Sequence, residues 1–169
     1  MKKLLFGFLL LFAIQVSAQE HLKFLDIPIV GTLDNFQKKL VEKGYRNLEN
    51  TTTYFTGNFG GSEALIQLLL TVETNNIYGV NINTSNVVSY TVIQDQIKTL
   101  VLRFESKYNT KMFQDENGTY TLLVKKDKTL VGGIFINQNK LDDNKYCVNI
   151  QYIDSDGNLK NSEIENKDL

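Results

Sequence analysis

Two stretches of the chain carry apolar residues at helical spacing, and each is followed by several segments with strand-like alternation. In the first stretch Leu33, Phe36 and Leu40 recur at intervals of three and four residues. In the second, a longer apolar face runs from Ile93 to Tyr108. Strand segments joined by short turns pair antiparallel. This order predicts an α+β protein in which amphipathic helices pack against an antiparallel sheet.

Capping residues fix the expected ends of both helices. Thr32 is a suitable N-cap for the first helix, and Gly44 is a suitable residue to end it. Thr91 and Gln94 have the spacing of a capping box at the start of the second helix. Pro28 lacks a ladder donor, so the strand that contains it is expected at a sheet edge. The predicted elements are a first helix over 33–43, a second ending near 108, and strands over 22–29, 51–59, 64–72, 77–83, 120–125, 130–136 and 145–153.

The two halves of this order resemble each other. Each helix is expected to precede three strands, and the apolar spacing of the first helix recurs in the second at an offset of 64 residues. No linker rich in Pro, Gly or Ser separates the halves. We therefore expect a single domain over 19–155, built from tandem helix-plus-three-strand units at about 22–84 and 89–153 and followed by a polar tail over 156–169. The units are expected to form one curved antiparallel sheet with two helices on one face.

The first 18 residues have the composition of a signal peptide. Lys2 and Lys3 precede an apolar run that extends from Leu4 to Val16, and small residues follow at Ser17 and Ala18. This run of 13 residues is shorter than the about 20 residues that a membrane-spanning helix requires. We predict cleavage after Ala18 and export of a periplasmic or secreted protein that keeps no stable membrane anchor.

Charge and composition exclude several functional classes. Removal of the signal peptide leaves 16 basic residues against 19 acidic ones, a net charge of −3, so nucleic acid is not an expected partner. A lone cysteine forms no internal disulfide, and a lone histidine builds no His-rich metal site. We expect no cofactor and no metal.

The start of the predicted mature chain resembles a group of small exported bacterial proteins of unknown function. The resemblance rests on Leu22-Lys23-Phe24, Ile27-Pro28-Ile29, Gly31-Thr32-Leu33, Phe36, Leu40 and Lys43-Gly44-Tyr45, with the strand from Tyr54 to Gly60 and the turn at Tyr152-Ile153-Asp154. The motifs are structural, so the resemblance implies a fold and an exported location without an activity.

The expected architecture is also similar to the tandem-repeat fold of the β-lactamase inhibitor protein and of small envelope-assembly lipoproteins. The chain lacks the two disulfides of the inhibitor and the lipid-bearing cysteine of the lipoproteins. The likeness therefore implies an architecture, and neither function follows from it.

Local motifs for catalysis are weak, and we predict no catalytic residue. Ser62 follows two glycines as in a nucleophile elbow, but a strand is expected after it where that motif requires a helix. Cys147 and His21 could form a thiol–imidazole pair, yet nothing near Cys147 in the sequence is electropositive. The segment from Asp154 to Asn158 lacks the spacing of an EF-hand and reads as a hairpin turn.

A surface is more informative than any motif. If alternate strand residues face the helices, the opposite face of the sheet is a mixture of apolar and amide side chains, which is typical of a partner-binding surface. Loops, the tail or a second copy of the chain could instead cover this face, and a bulge at Gly132-Gly133 would shift its phase. The predicted binding residues are Leu65, Gln67, Leu69, Leu123, Val131, Phe135, Asn149 and Gln151, with Cys147 on the same face.

These features predict a non-catalytic binding module of the cell envelope, with an envelope or extracellular protein as its partner. Two alternatives remain open. One is a small envelope hydrolase with an unrecognised carboxylate site, and the other is a structural homodimer formed through the same sheet face. An enzyme would present a concave pocket with convergent carboxylates, whereas a binding module would present a broad, shallow apolar patch.

Overall fold

A computed structural model of the protein describes residues 20–85, 88–142 and 145–156. Within these residues the fold is mixed α+β, with two helices and a large antiparallel sheet, as the sequence predicts. The predicted signal peptide, its cleavage site and most of the predicted polar tail lie outside the described residues.

The first segment forms a small hairpin of its own. Strand β1 (Lys23–Phe24) pairs with β2 (Ile27–Pro28), and the two form a separate two-stranded sheet. The chain reverses at Leu25 and Asp26, whose φ angles are 52° and 65°. The single edge strand expected over 22–29 is therefore wrong.

Burial explains why the hairpin replaces the expected strand. In one extended strand, Leu22 and Phe24 would face one side and Ile27 and Ile29 the other. The reversal places all four side chains in the same core, where none is more than 4% exposed. Burial of that apolar surface favours the hairpin over the extended strand.

Helix α1 (Leu33–Glu42) begins and ends as its capping residues predict. Thr32 is the N-cap, although its side chain makes no capping hydrogen bond. Gly44, with φ +89°, donates its N–H to the carbonyl of Val41 at 2.9 Å, and Tyr45 donates to the carbonyl of Leu40 at 3.1 Å. These two bonds form a Schellman motif, in which glycine adopts the left-handed conformation at no steric cost.

Helix α2 (Tyr90–Tyr108) starts earlier than its predicted capping box. Ser89 is the N-cap, and Thr91 lies inside the helix, so the predicted cap is wrong by two residues. Val88 and Tyr146 exchange two backbone hydrogen bonds of 3.0 Å, which hold the chain extended immediately before the helix. No helix in the described part of the chain is long and apolar enough to span a membrane.

The sheet has eight strands, and every neighbouring pair is antiparallel. Its order is β3-β4-β5-β6-β10-β9-β8-β7. In the described chain each helix is followed by four strands, whereas three were expected. The additional strand has two residues and is the first one after each helix. The strands are β3 (Arg46–Asn47), β4 (Tyr54–Phe59), β5 (Ser62–Leu70), β6 (Ile77–Thr84), β7 (Phe113–Gln114), β8 (Tyr120–Lys126), β9 (Thr129–Asp142) and β10 (Lys145–Asp154).

Alternate residues of the long strands enter a hydrophobic core together with residues of both helices. On β5 these are Ala64, Ile66 and Leu68, each no more than 2% exposed, as the alternation predicts. The same core cluster includes Phe36 from α1 and Ile97 from α2. Residues between the core positions therefore point to the other side of the sheet.

Candidate functional site

The second face of the sheet is the set of side chains that alternate with the core positions. No side chain in the central part of this set is charged, although 22% of the residues in the chain are. The charged residues Glu63, Lys125 and Lys145 continue the alternation near the ends of β5, β8 and β10. We define the second face by Leu65, Gln67, Leu69, Gly79, Asn81, Asn83, Leu123, Gly133, Phe135, Asn137, Asn139, Cys147, Asn149, Gln151 and Ile153.

Strand register brings the predicted binding residues into rows across the sheet. Asn149 lies opposite Asn83, which lies opposite Leu65. Gln151 lies opposite Phe135 on one side, and through β6 it is aligned with Gln67 on the other. Residues separated by up to 84 positions in the sequence are thus aligned in one row of the surface.

Side-chain amides form a hydrogen-bond network at the centre of the second face. The Asn149 amide donates to Oδ1 of Asn81 at 2.7 Å and to Oδ1 of Asn83 at 3.0 Å. Asn81 donates to Oε1 of Gln67 at 3.4 Å, and Asn139 donates to Oδ1 of Asn83 at 3.5 Å. The network joins β5, β6, β10 and β9, and it orders these side chains without a ligand.

An apolar patch lies beside the amides, over two glycines. A Cβ atom at Gly79 would lie 2.9 Å from Cδ1 of Ile153 and 3.1 Å from Cδ1 of Leu69, so both side chains occupy the space above this glycine. A Cβ atom at Gly133 would lie 2.9 Å from Cζ of Phe135. The absence of side chains at the glycines thus lets the neighbouring apolar groups lie flat on the sheet.

Most of the predicted binding residues are accessible, and two, Val131 and Asn149, are buried. Val131 is 6% exposed and belongs to the core cluster. It lies in an irregularity where Gly132 pairs with Val124 and Leu130 pairs with Lys125, so Val131 has no partner in the ladder. Leu65 and Leu123 are 37% and 42% exposed, Gln67, Leu69, Phe135 and Gln151 are half-buried, and Asn149 is 8% exposed within the amide network.

Cys147 is buried on the second face beside an amide. Its Sγ atom lies 4.0 Å from Oδ1 of Asn83, and burial raises the pKa of the thiol. A thiol that is held protonated is a weak nucleophile. His21, the residue that could have activated this thiol, contacts Asp154 instead, with 3.3 Å between its Nδ1 atom and Oδ1 of the carboxylate.

Several second-face residues were absent from the sequence-based prediction. Asn81 and Asn83 alternate with Val80 and Ile82, so the pattern on β6 contained the signal that places them outward. Asn139 was missed because the predicted strand stopped at 136, whereas β9 continues to Asp142. Asn81 and Asn83 were not included in the predicted binding surface, and the centre of the network was therefore not predicted.

A second polar cluster lies at the end of β10. The nearest ligand atoms of His21, Asp154 and Asp156 lie within 4.8 Å of one another, a spacing that could hold a metal ion. Asp154 is 2% exposed, and its carboxylate accepts hydrogen bonds from the backbone N–H groups of Leu22 at 2.8 Å and Asp156 at 3.1 Å. These contacts fasten the start of the described chain to the sheet, which is a structural role.

The fold and the second face together define a mixed α+β domain with a broad sheet surface that is uncharged at its centre. Comparison of the chain with protein-family models, with curated proteins and with solved structures finds no match in any of the three. The two resemblances drawn from the sequence therefore stay predictions.

Proposed function

We propose that the protein is an exported, non-catalytic binding module of the cell envelope, and that a partner protein docks on the second face of its sheet. The observation that carries this proposal is the absence of charge from the central part of this face, combined with an ordered amide network and an adjoining apolar patch. Charged residues are depleted at the centres of protein interfaces because they are costly to remove from water.

The chemistry of the face defines the partner. Apolar side chains such as Leu69 and Phe135 supply surface whose removal from water stabilises a complex. Amides such as Gln151 supply donors and acceptors that hold register and orientation. The amide network limits the conformational entropy lost on binding, because Asn81, Asn83 and Asn149 are already ordered. The complementary surface on the partner is therefore uncharged, with exposed backbone or amide groups beside an apolar patch.

The second face is free for a partner only if both helices pack on the other face of the sheet. We propose that they do, within tandem units at about 22–84 and 89–153. Two observations support this arrangement. The apolar residues of α1 and α2 belong to one core cluster, and the strand order has the same pattern from either edge, with β6 and β10 at its centre.

Export is the part of the proposal that depends on the sequence alone. The charged, apolar and small-residue segments of residues 1–18 support a signal peptide that is cleaved after Ala18. The mature protein would then act in the periplasm or outside the cell.

Affinity capture with variants tests the docking surface. Mature protein, residues 19–169, is immobilised and exposed to envelope extract, and bound proteins are identified by mass spectrometry. Leu69→Asp and Phe135→Asp each introduce a charge that the proposed interface would have to bury, so both should lose a protein that the wild type retains. Leu102→Asp is the matched control, because Leu102 is 64% exposed on α2 and lies outside the second face.

Three results oppose the proposal. The first is a captured protein that both second-face variants keep, and the second is one that the Leu102→Asp control also loses. The third is a concentration-dependent dimer, detected by light scattering, that dissociates in the Phe135→Asp variant. That result would favour a homodimer formed through the second face over a different partner protein.

A further inference from the structure

A continuous groove lies between α2 and the turn that joins β4 to β5. It consists of two cavities of about 360 and 340 Å³, which share Phe59, Gly60, Leu100 and Arg103 in their linings. The first cavity has Val148 and Ile150 of β10 in its lining, and the second has Tyr152 of the same strand. These residues alternate with second-face positions, so the groove and the second face lie on opposite sides of the strand.

Aromatic rings surround the second cavity. Phe24 stacks on Phe59 with ring centroids 5.8 Å apart and meets Tyr152 edge-on at 5.4 Å. Phe104 contacts Tyr152 at 6.1 Å on the helix side. Tyr45 also lines this cavity. The cavity is therefore bounded by rigid apolar groups of the kind that bury the body of a small ligand.

The hydroxyl of Tyr152 has no hydrogen-bond partner among the described residues. Tyr152 is 4% exposed, and buried tyrosine hydroxyls ordinarily find a partner. Tyr45, in the same cavity, is satisfied, since its hydroxyl donates to the carbonyl of Asn58 at 2.7 Å. Burial raises the pKa of Tyr152, which keeps its phenol protonated and able to donate. A ligand oxygen in the cavity would complete this hydrogen bond.

Two cations flank the same cavity. Arg103 and Lys107 lie one turn apart on α2, and both line it. Neither forms an ion pair with a carboxylate of the described chain. Asp26 also lines the cavity, so the two cations leave an excess of one positive charge there. Lys107 lies 5.3 Å above the ring of Tyr108, a contact that leaves its ammonium group able to bind an anion.

We propose that this groove binds a small amphipathic carboxylate with an elongated apolar body. The carboxylate lies in the second cavity, where it pairs with Arg103 and Lys107 and accepts a hydrogen bond from Tyr152. The apolar body extends past Leu100 into the first cavity, above Ile150. This site is separate from the second face and does not depend on the function proposed for that face.

Titration with matched amphiphiles tests the site. Dodecanoate and dodecyltrimethylammonium, each kept below its micelle-forming concentration, are titrated into mature protein by calorimetry, and their positions are mapped by amide NMR shifts. Dodecanoate should bind about tenfold or more tightly than the cationic amphiphile, because charge-assisted hydrogen bonds are available only to the anion. The largest NMR shifts should fall on residues of the groove.

Variants separate the headgroup from the tail. Replacement of both cations, Arg103→Gln with Lys107→Gln, should lower the affinity for dodecanoate about tenfold or more, and Tyr152→Phe should lower it about tenfold. Lys98→Gln is the control, because Lys98 lies on the same helix, is 66% exposed and does not line the groove. It should bind as the wild type does. Lys98, Arg103 and Lys107 are exposed, and the hydroxyl of Tyr152 makes no hydrogen bond to a described residue. The substitutions should therefore leave the fold intact, and thermal denaturation of each variant checks this.

Several outcomes would overturn the assignment. They are no binding of dodecanoate, equal binding of the two amphiphiles, shifts confined to the second face, and an unchanged affinity in the double variant or in Tyr152→Phe. The capture experiment on the second face uses different residues and a different ligand class, so failure of either proposal leaves the other intact.

Discussion

The two sides of strand β10 show two different ways in which a sheet can present a binding surface. On the second face, Asn149 donates to amides on β6, and polar groups satisfy one another across strands. On the groove side, Tyr152 is buried among rings and has no hydrogen-bond partner among the described residues. The first surface is broad, neutral and ordered, whereas the second is concave and has cations at its rim.

This difference separates two kinds of recognition. A flat, neutral face with its amides already bonded gains affinity from the area it removes from water, which suits a protein partner. A concave groove with an unsatisfied donor and unpaired cations gains affinity from a few directed contacts, which suits a small ligand. Strand alternation allows one strand to serve both, because adjacent residues face opposite sides.

The largest difference in unfolding free energy is expected between truncations of two adjacent residues on β9. Ile136 is fully buried in the core, whereas Phe135 lies on the second face and is half-buried. Ile136→Ala should lower the free energy of unfolding by about 2–5 kcal/mol, because it leaves a cavity that the core does not fill. Phe135→Ala should cost about 1 kcal/mol or less, because the side chain of Phe135 is only half-buried in the folded state. Urea denaturation measures both, and equal losses would contradict the assignment of the two faces.

A smaller difference in unfolding free energy is expected between alanine substitutions of the adjacent glycines Gly132 and Gly133. A Cβ atom at Gly132 would lie 2.4 Å from the backbone oxygen of Ile153, whereas one at Gly133 would meet the movable ring of Phe135. Gly132→Ala should therefore cost about 1–3 kcal/mol through displacement of β10, and Gly133→Ala less than about 1 kcal/mol. Chemical denaturation of the two variants checks the order. A greater loss in Gly133→Ala would mean that the second face is packed as tightly as the core.

The amide network should contribute less than core packing. Asn149→Ala removes the donor to Oδ1 of Asn81 and the nearer of two amide donors to Oδ1 of Asn83, and it should lower the free energy of unfolding by about 1–2 kcal/mol. Gln151→Ala, on the same strand and face but outside the described hydrogen bonds, is the control and should change it by less than about 0.5 kcal/mol. Equal stability of the two variants in urea would show that the network adds nothing to the order of the second face.

The smallest effect is a pH dependence at the end of β10. Burial raises the pKa of the Asp154 carboxyl above its unfolded value, so the folded state binds the proton more tightly. The stabilisation from this group is fully present below the unfolded pKa and is lost as pH rises through the folded pKa. Asp154→Asn should remove this decline.

Denaturation from pH 4 to 7 measures it, with His21→Gln present in both proteins because His21 contacts Asp154. Parallel stability curves for the two proteins would contradict a raised pKa.

Much of the fold was predictable because it depends on local patterns. The apolar spacing and the Gly44 terminus predicted α1 to within one residue. Gly60-Gly61 and Asp127-Lys128 lie between consecutive predicted strands, and all four residues have positive φ angles that match two-residue hairpins. The errors arose where a distant contact decided the local structure. The β1–β2 hairpin forms because it places Ile27 in the core, and α2 begins at Tyr90 because Tyr146 holds Val88 extended.

The second face was predictable in part, because it too depends on a local pattern, the alternation of strand residues. Alternation placed Leu65, Leu69 and Phe135 outward, but it placed Val131 there as well, because the irregularity opposite Val124 is not visible in the sequence. The groove was not predictable at all. Its residues come from α2, β10 and the β4–β5 turn, which meet only after the sheet is assembled.

The sequence by itself determined both helices, most of the long strands, their antiparallel pairing and the mixed apolar and amide character of the second face, because these depend on side-chain period, turn chemistry and residue type. Tertiary structure alone decided that Asn149 lies between Asn81 and Asn83, and that the hydroxyl of Tyr152 lacks a partner. Whether a polar group finds a hydrogen-bond partner depends on the neighbours that it acquires on folding. The partners of Asn149 lie on β6, more than sixty residues away in the chain.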